Sequence, residues 1–262
     1  MGDLPAGFLR PDWPAPAGVR ALCSLREGGV SAGPYASLNL GDHVGDDPAA
    51  VAENRRRFAR ALDARPVFLQ QVHGAQVVQL APDSADGEQA DACWTRERGV
   101  ACTIMVADCL PVLLSDREGR CVAAAHCGWR GLAGAGGRGV LEALWDAWWP
   151  QVATSAPAAA QRTLAWLGPC IGPRAFEVGG EVKAAFEAVD ADAARRFTPV
   201  SAGKWLADLP ALARDRLGAL GIEALYGNDG STAWCTVSNP SSFFSHRRDR
   251  VSGRFAASIW RG

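Results

Sequence analysis

At 262 residues, with 48% hydrophobic and 21% charged side chains, the chain is long enough to bury a substantial core. Its formal net charge of −1 offers no basic excess for nucleic acid or an anionic membrane surface. No window is apolar for the length a membrane helix needs, and MGDLPAGFLRPDW lacks the basic and apolar regions of a signal peptide, so a cytoplasmic protein is expected.

Residues 19–24 (VRALCS) read as a first strand. They lead into LREGGVSAGPYASLNLGDHVGDDP, a long loop rich in Gly, Ser and Asn whose polar candidates are Arg26, Asn39 and His43. Asp47 and Pro48 open a helix, since proline at the first helical position gives up an N–H that would lack a partner anyway. Val51, Arg55, Phe58, Ala59 and Leu62 share one stripe of that helix. Arg55 on an apolar stripe either runs its stem past the core edge or aims its guanidinium at a site. VFLQQVH (67–73) and QVVQLA (76–81) flank Gly74-Ala75 and predict a hairpin. PDSADGEQ then reads as a solvated turn and ADACWT (90–95) as a strand.

The run Val100–Leu114 carries a single charge, Asp108, directly before Cys109. The polar turn SDREGR separates it from a second apolar run that ends in His126. Two such runs predict paired, deeply buried strands. Strand alternation turns Asp108 away from Cys109 unless the strand breaks there. Downstream, Val140, Leu141, Leu144, Trp145 and Trp148 form a helix stripe, and QVATSAPAAAQ reads as a surface connector. TLAWLGP is a strand; EVKAAFEAV and LADLPALARDRLGAL are amphipathic helices, the latter closed by Gly221. The basic tail FFSHRRDRVSGRFAASIW ends in a strand-like run. Strands in clusters, with helices between clusters, favour an α+β fold of mixed sheets in one domain spanning 1–262.

Eight cysteines without a CxxC pair read as reduced, buried thiols, with Cys109 set apart by its neighbours. His73, Cys109 and His126 each stand where an apolar run gives out. Their wide separation does not resemble the short-range ligand pairs of structural zinc fingers. It suits a catalytic zinc site, in which three ligands from separate elements leave a fourth position open and the metal activates water or polarises an electrophile. A metal-free reading pairs Cys109 with His126 as a thiolate–imidazolium hydrolase or amidase. A third is a zinc-stabilised binding module without catalysis. Gly134–Gly139 satisfies GxGxxG, but it opens well past its strand and no acidic residue follows at the required distance, so close helix packing explains it better. The nucleoside-deaminase zinc signature is missing, since no HxE occurs.

QVHGAQV, DACWT, VADCLPVLL, AAHCGWRGLAGAGG and LGPCIGPRAFEVG, with GGVSAGPYASLNLGDHVGDD, NRR, SHRRD and SGR, resemble the YfiH/YlmD family over most of the chain. That family has been labelled laccase-domain protein, polyphenol oxidase, purine nucleoside phosphorylase and peptidoglycan editing factor. The resemblance implies an α/β/β/α sandwich of mixed sheets. It places zinc ligands at His73, Cys109 and His126, with Cys109, His126 and Arg55 catalytic. It also implies a substrate or phosphate contact at Arg55, with Arg26 and Asn39 as further substrate-binding candidates from the loop. His246 stands where many members carry Tyr. The oxidase label fits poorly: a blue-copper centre alone takes two His and a Cys, and this chain has four His in all. The implied function is zinc-dependent phosphorolysis of adenosine, inosine and methylthioadenosine with an adenosine deaminase side activity. A nucleoside and phosphate are then the partners, with no nucleic acid and no membrane, and the protein is expected to be a monomer.

Overall fold

The computed structural model describes residues 7–262; the first six, part of the stretch searched above for a signal peptide, lie outside it. In chain order, β1 (Phe8–Leu9) and β2 (Val19–Ser24) lead through the polar loop to α1 (Pro48–Leu62). Six strands follow: β3 (Arg65–Phe68), β4 (Val77–Gln79), β5 (Ala92–Thr95), β6 (Val100–Val106), β7 (Leu110–Asp116) and β8 (Val122–Cys127). Helices α2 (Trp129–Ala133), α3 (Val140–Val152) and α4 (Ala156–Arg162) precede β9 (Thr163–Leu167) and β10 (Glu177–Gly179). The chain closes with α5 (Gly180–Glu187), β11 (Phe197–Ser201), β12 (Lys204–Ala207), α6 (Leu209–Ala219), β13 (Ala224–Gly227), α7 (His246–Asp249) and β14 (Phe255–Arg261).

One mixed sheet has the order β1-β2-β14-β6-β3, a second the order β13-β9-β7-β8-β5-β4, and β10-β12-β11 form a small third. Side-chain alternation sorts the core into layers. Cys102 and Ile104 of β6 meet Leu113 of β7, Ala124 of β8 and Trp166 of β9 between the two large sheets. The opposite faces of the same strands turn outward. Val112, Ala123 and Ala125 pack under α3 and α6, while Ala101 and Met105 pack under Phe58 and Leu62 of α1. The result is the α/β/β/α sandwich of mixed sheets. Each fully buried aliphatic or aromatic side chain contributes about 1.5–3 kcal/mol, so the three layers account for most of the driving force.

α1 starts where proline and its acidic cap place it, with Asp47 accepting from the N–H of Ala49. Four expectations need correction. Residues 67–81 are not a hairpin: β3 pairs parallel with β6 in one sheet, and β4 pairs parallel with β5 in the other. The run Val100–Leu114 is two strands, of which only β7 pairs with β8; β6 joins β14 and β3. The supposed surface connector contains α4, whose Ala159 and Ala160 are buried against α3. Leu206 and Ala207 belong to β12, so the helix that follows begins only at Leu209.

These corrections create the site. The chain crosses between the two large sheets four times, and two of those crossings, through 69–76 and through 107–109, open onto the same cavity.

Candidate metal centre and the cavity around it

Cys109 sits at the 107–109 crossing, where β6 ends and β7 begins in the other sheet. A chain changing sheets must break its extended path, and Asp108 does so with a φ of 102°. That turn is held from outside. The Asp108 carboxylate accepts from Thr236 Oγ1 at 2.6 Å and from the Arg247 N–H at 2.6 Å, and its carbonyl accepts from the Ile171 N–H at 2.8 Å. The strand break brings Asp108 to the cavity wall beside Cys109.

His126 shares the inward parity of Val122 and Ala124 on β8 and is buried, 3% exposed. Its Nδ1 lies 2.8 Å from Asp91 Oδ1. A carboxylate can only accept, so Nδ1 carries a proton and Nε2 is the nitrogen that faces the cavity. Asp91 also fastens the first crossing. Its oxygens accept from the successive N–H groups of Val72, His73 and Gly74 at 3.2, 2.9 and 2.7 Å. Three amides curled around one carboxylate form an anion nest, and they hold His73 in the left-handed region at φ 61°. Gln71 adds a second anchor: its amide exchanges hydrogen bonds of 2.7 and 2.8 Å with the backbone of Met105. Burial alone would raise the Asp91 carboxyl, but the hydrogen bonds from His126 and from the backbone hold it below the usual carboxylate range.

The His73 and His126 rings meet edge to face, centroids 4.7 Å apart, and Cys109 Sγ lies 3.6 Å from His73 Nε2. One ligand atom from each of the three falls within 4.8 Å of the others. Burial pushes the Cys109 thiol up, yet the His126 charge and hydrogen bonds from both imidazoles outweigh it and bring it down to about 6. His126 answers in the opposite sense: burial works against its charge, but the Cys109 sulfur and Asp91 raise it to about 9. The donor set fits zinc. Bonds of about 2.3 Å to sulfur and about 2.0 Å to nitrogen, at a tetrahedral angle, separate the two donors by about 3.5 Å. The floor is closed by Gly128, where a Cβ would stand 2.6 Å from His73 Cδ2 and 3.0 Å from Cys109 Sγ.

Above the three residues opens a cavity of about 440 Å³ lined by His43, Gln71, Trp129, Phe176, His246, Arg247 and Arg254 among others. That volume suits a small-molecule ligand. All four histidines of the chain border it, but His43 and His246 join no group of ligands among the described residues. Phe176 forms an aromatic wall with the Arg247 guanidinium 5.5 Å from its ring centroid.

The structure does not bring the remaining sequence candidates into this cavity. Arg55 borders an adjacent one. Its guanidinium stacks 4.1 Å from the Phe68 ring centroid, donates to Leu40 O at 2.9 Å, and faces Asp42 at 3.1 Å and Asp86 at 3.8 Å. Arg26 ties the loop to Ala36 O and to Asp249. Asn39 is fully buried, its amide spent on Gly41, Asp46 and the Arg254 N–H. Sequence reasoning missed Asp91, Phe176, Arg247 and Arg254. Asp91 lies in ADACWT, which reads as a strand with no role for its one charge, and the two arginines lie in the basic tail, where several cations stand close together.

Fold and site together define a two-sheet α+β sandwich with a His–Cys–His group at the seam, open to a ligand-sized cavity. Residues 20–262 match the family described as multi-copper polyphenol oxidoreductase laccase, and the chain belongs to that family. It is 52% identical to a purine nucleoside phosphorylase of Pseudomonas aeruginosa, over 97% of this chain and 98% of the relative. It is 48% identical to the purine nucleoside phosphorylase YfiH of Escherichia coli, again over 97% and 98%. Among solved structures, a Neisseria meningitidis protein superposes with a TM-score of 0.88 at 45% identity, covering 97% of this chain and 99% of that one. YlmD of Geobacillus stearothermophilus does so with a TM-score of 0.85 at 31% identity, covering 99% and 98%. The chain is thus an enzyme of the YfiH type, and among the described residues no helix is long and apolar enough to cross a membrane.

Proposed function

We propose that the protein is a zinc-dependent purine nucleoside phosphorylase that takes adenosine, inosine and methylthioadenosine, with adenosine deamination as a side activity. The observation that carries this reading is the convergence of His73, Cys109 and His126 at the base of a cavity of about 440 Å³. The names of the relatives point the same way. Zinc at these three residues would supply Lewis acidity to a bound substrate or water. In phosphorolysis an oxygen of inorganic phosphate bonds to ribose C1′ as the glycosidic C–N bond breaks. The bonding pair and one proton end on the purine. Phe176 and Trp129 offer the base apolar walls, Asp108 keeps the Cys109 turn in place, and Asp91 keeps His126 in the tautomer whose Nε2 faces the substrate. Eight free thiols suit work in the reducing cytoplasm.

Phosphate-dependent release of hypoxanthine from inosine, by wild type and Cys109→Ala, tests the proposal. Wild type is expected to depend on both phosphate and metal, and Cys109→Ala to lose at least about a hundredfold in rate, since one of three ligands is gone. Equal rates would end this reading. A second reading is favoured by one observation, the low Cys109 thiol beside His126: a cysteine hydrolase acting on an amide. It predicts inactivation by thiol alkylation and full activity after chelation.

A further inference from the structure

Most arginines around the candidate site already have an acidic partner. Arg55 lies between Asp42 and Asp86, and Arg26 and Arg248 share Asp249. Arg254 differs. It lines the same cavity as Cys109 and Asp108, it is half-buried, and among the described residues no carboxylate lies within ion-pair distance of its guanidinium. Asp108, the nearest acid in the cavity, has both oxygens engaged by Thr236 and the Arg247 N–H. Arg254 Nη1 donates to Ser252 O and Gly253 O at 2.9 and 3.0 Å, which fixes the head while Nε and Nη2 bond to no protein atom.

The loop that leads to α1 holds the backbone of this residue. Asn39 accepts from the Arg254 N–H at 2.8 Å, and the Leu40 N–H donates to Arg254 O at 2.9 Å. Gly41 lets the stem pass, since a Cβ there would stand 2.8 Å from Arg254 Cγ. Asn54 of α1 pins the loop in turn, donating to Ser31, to Ser37 O and to Asn39 O while accepting from the Val30 N–H. A desolvated cation with free donors is costly unless an anion completes it, and a planar guanidinium matches phosphate oxygens two at a time.

We propose that Arg254 is the anion-binding group of this cavity and that it, rather than Arg55, receives inorganic phosphate. This rests on the phosphorolytic reading for its ligand, and on geometry alone for its charge. The test titrates the metal-loaded protein with inorganic phosphate by calorimetry for wild type, Arg254→Gln and Arg254→Lys, with melting curves to verify folding. The KM for phosphate and for inosine is then measured in each. Losing charge-assisted hydrogen bonds should weaken phosphate at least about tenfold in Arg254→Gln, with Arg254→Lys intermediate and the inosine KM within about threefold of wild type. Unchanged phosphate affinity in Arg254→Gln, equal loss for both substrates, or a wild type that binds no phosphate would each overturn the assignment. Phosphate binding that depends on Arg254 in a protein that releases no purine would keep the anion site and discard the phosphorylase.

Discussion

Replacing Asp91 by asparagine changes two atoms and should unfasten both histidines. The carboxylate accepts four hydrogen bonds, two on each oxygen: from His126 Nδ1 and the His73 N–H on one, from the Val72 and Gly74 N–H groups on the other. An amide keeps one accepting oxygen and turns an NH₂ toward two donors. Two buried, charge-assisted hydrogen bonds are lost, at about 1.5–3 kcal/mol each, or about 3–6 kcal/mol together. At about 2–4 °C per kcal/mol for a chain near this size, melting should fall by about 10 °C. If the NH₂ faces His126, the imidazole must accept at Nδ1 and carry its proton at Nε2, which removes the lone pair from the cavity. Zinc affinity, read by competition with a chromophoric chelator, should drop about 10–100-fold, the range for carboxylates that orient a ligating imidazole. A variant that melts and binds zinc like wild type would refute the clamp.

Gly128→Ala should fold, because the backbone at φ −69° accepts any residue, yet lose zinc at least about tenfold as the new methyl displaces the His73 ring; chelator competition beside an unchanged circular dichroism spectrum checks it. The Arg196–Asp215 pair tests acid stability. Arg196 holds the Asp215 carboxyl below its usual range, so its contribution is complete above about pH 4 and disappears as pH falls through the lowered folded value. Asp215→Asn should cost about 1 kcal/mol in urea unfolding at pH 7 and nothing near pH 2. A difference that stays constant across that range would show that the pair's charge is not the source.

Local chemistry made some of this architecture legible. Asp47-Pro48 announced α1, and the Val140 to Trp148 stripe announced α3, because capping and helical periodicity act within a few residues. The partners of β3 and β4 were not legible. β3 pairs in parallel with β6, three strands on, and β4 pairs in parallel with the next strand in another sheet, while Gly74, which imitates the link of a hairpin, joins the nest around Asp91. His73, Cys109 and His126 could be picked out because soft donors stood at the ends of apolar runs. The lone charge at Asp108 marks the strand break, the one condition under which alternation admits it to the site. Arg55 shows the converse. Its place on the apolar stripe of α1 looked functional, but a cation stacked on Phe68 between two carboxylates satisfies the same pattern. Arg254 stood out only as the last residue of the SGR block, with no role attached, since its partners come from the other end of the chain.

The two crossings that border the cavity have a consequence for how the molecule matures. His73 and Cys109 ride on separate bridges, and His126 belongs to the second sheet, so no half of the sandwich assembled alone can bring the trio together. During refolding, recovery of zinc affinity should trail the return of helical signal, making metal capture a clock for the last docking event.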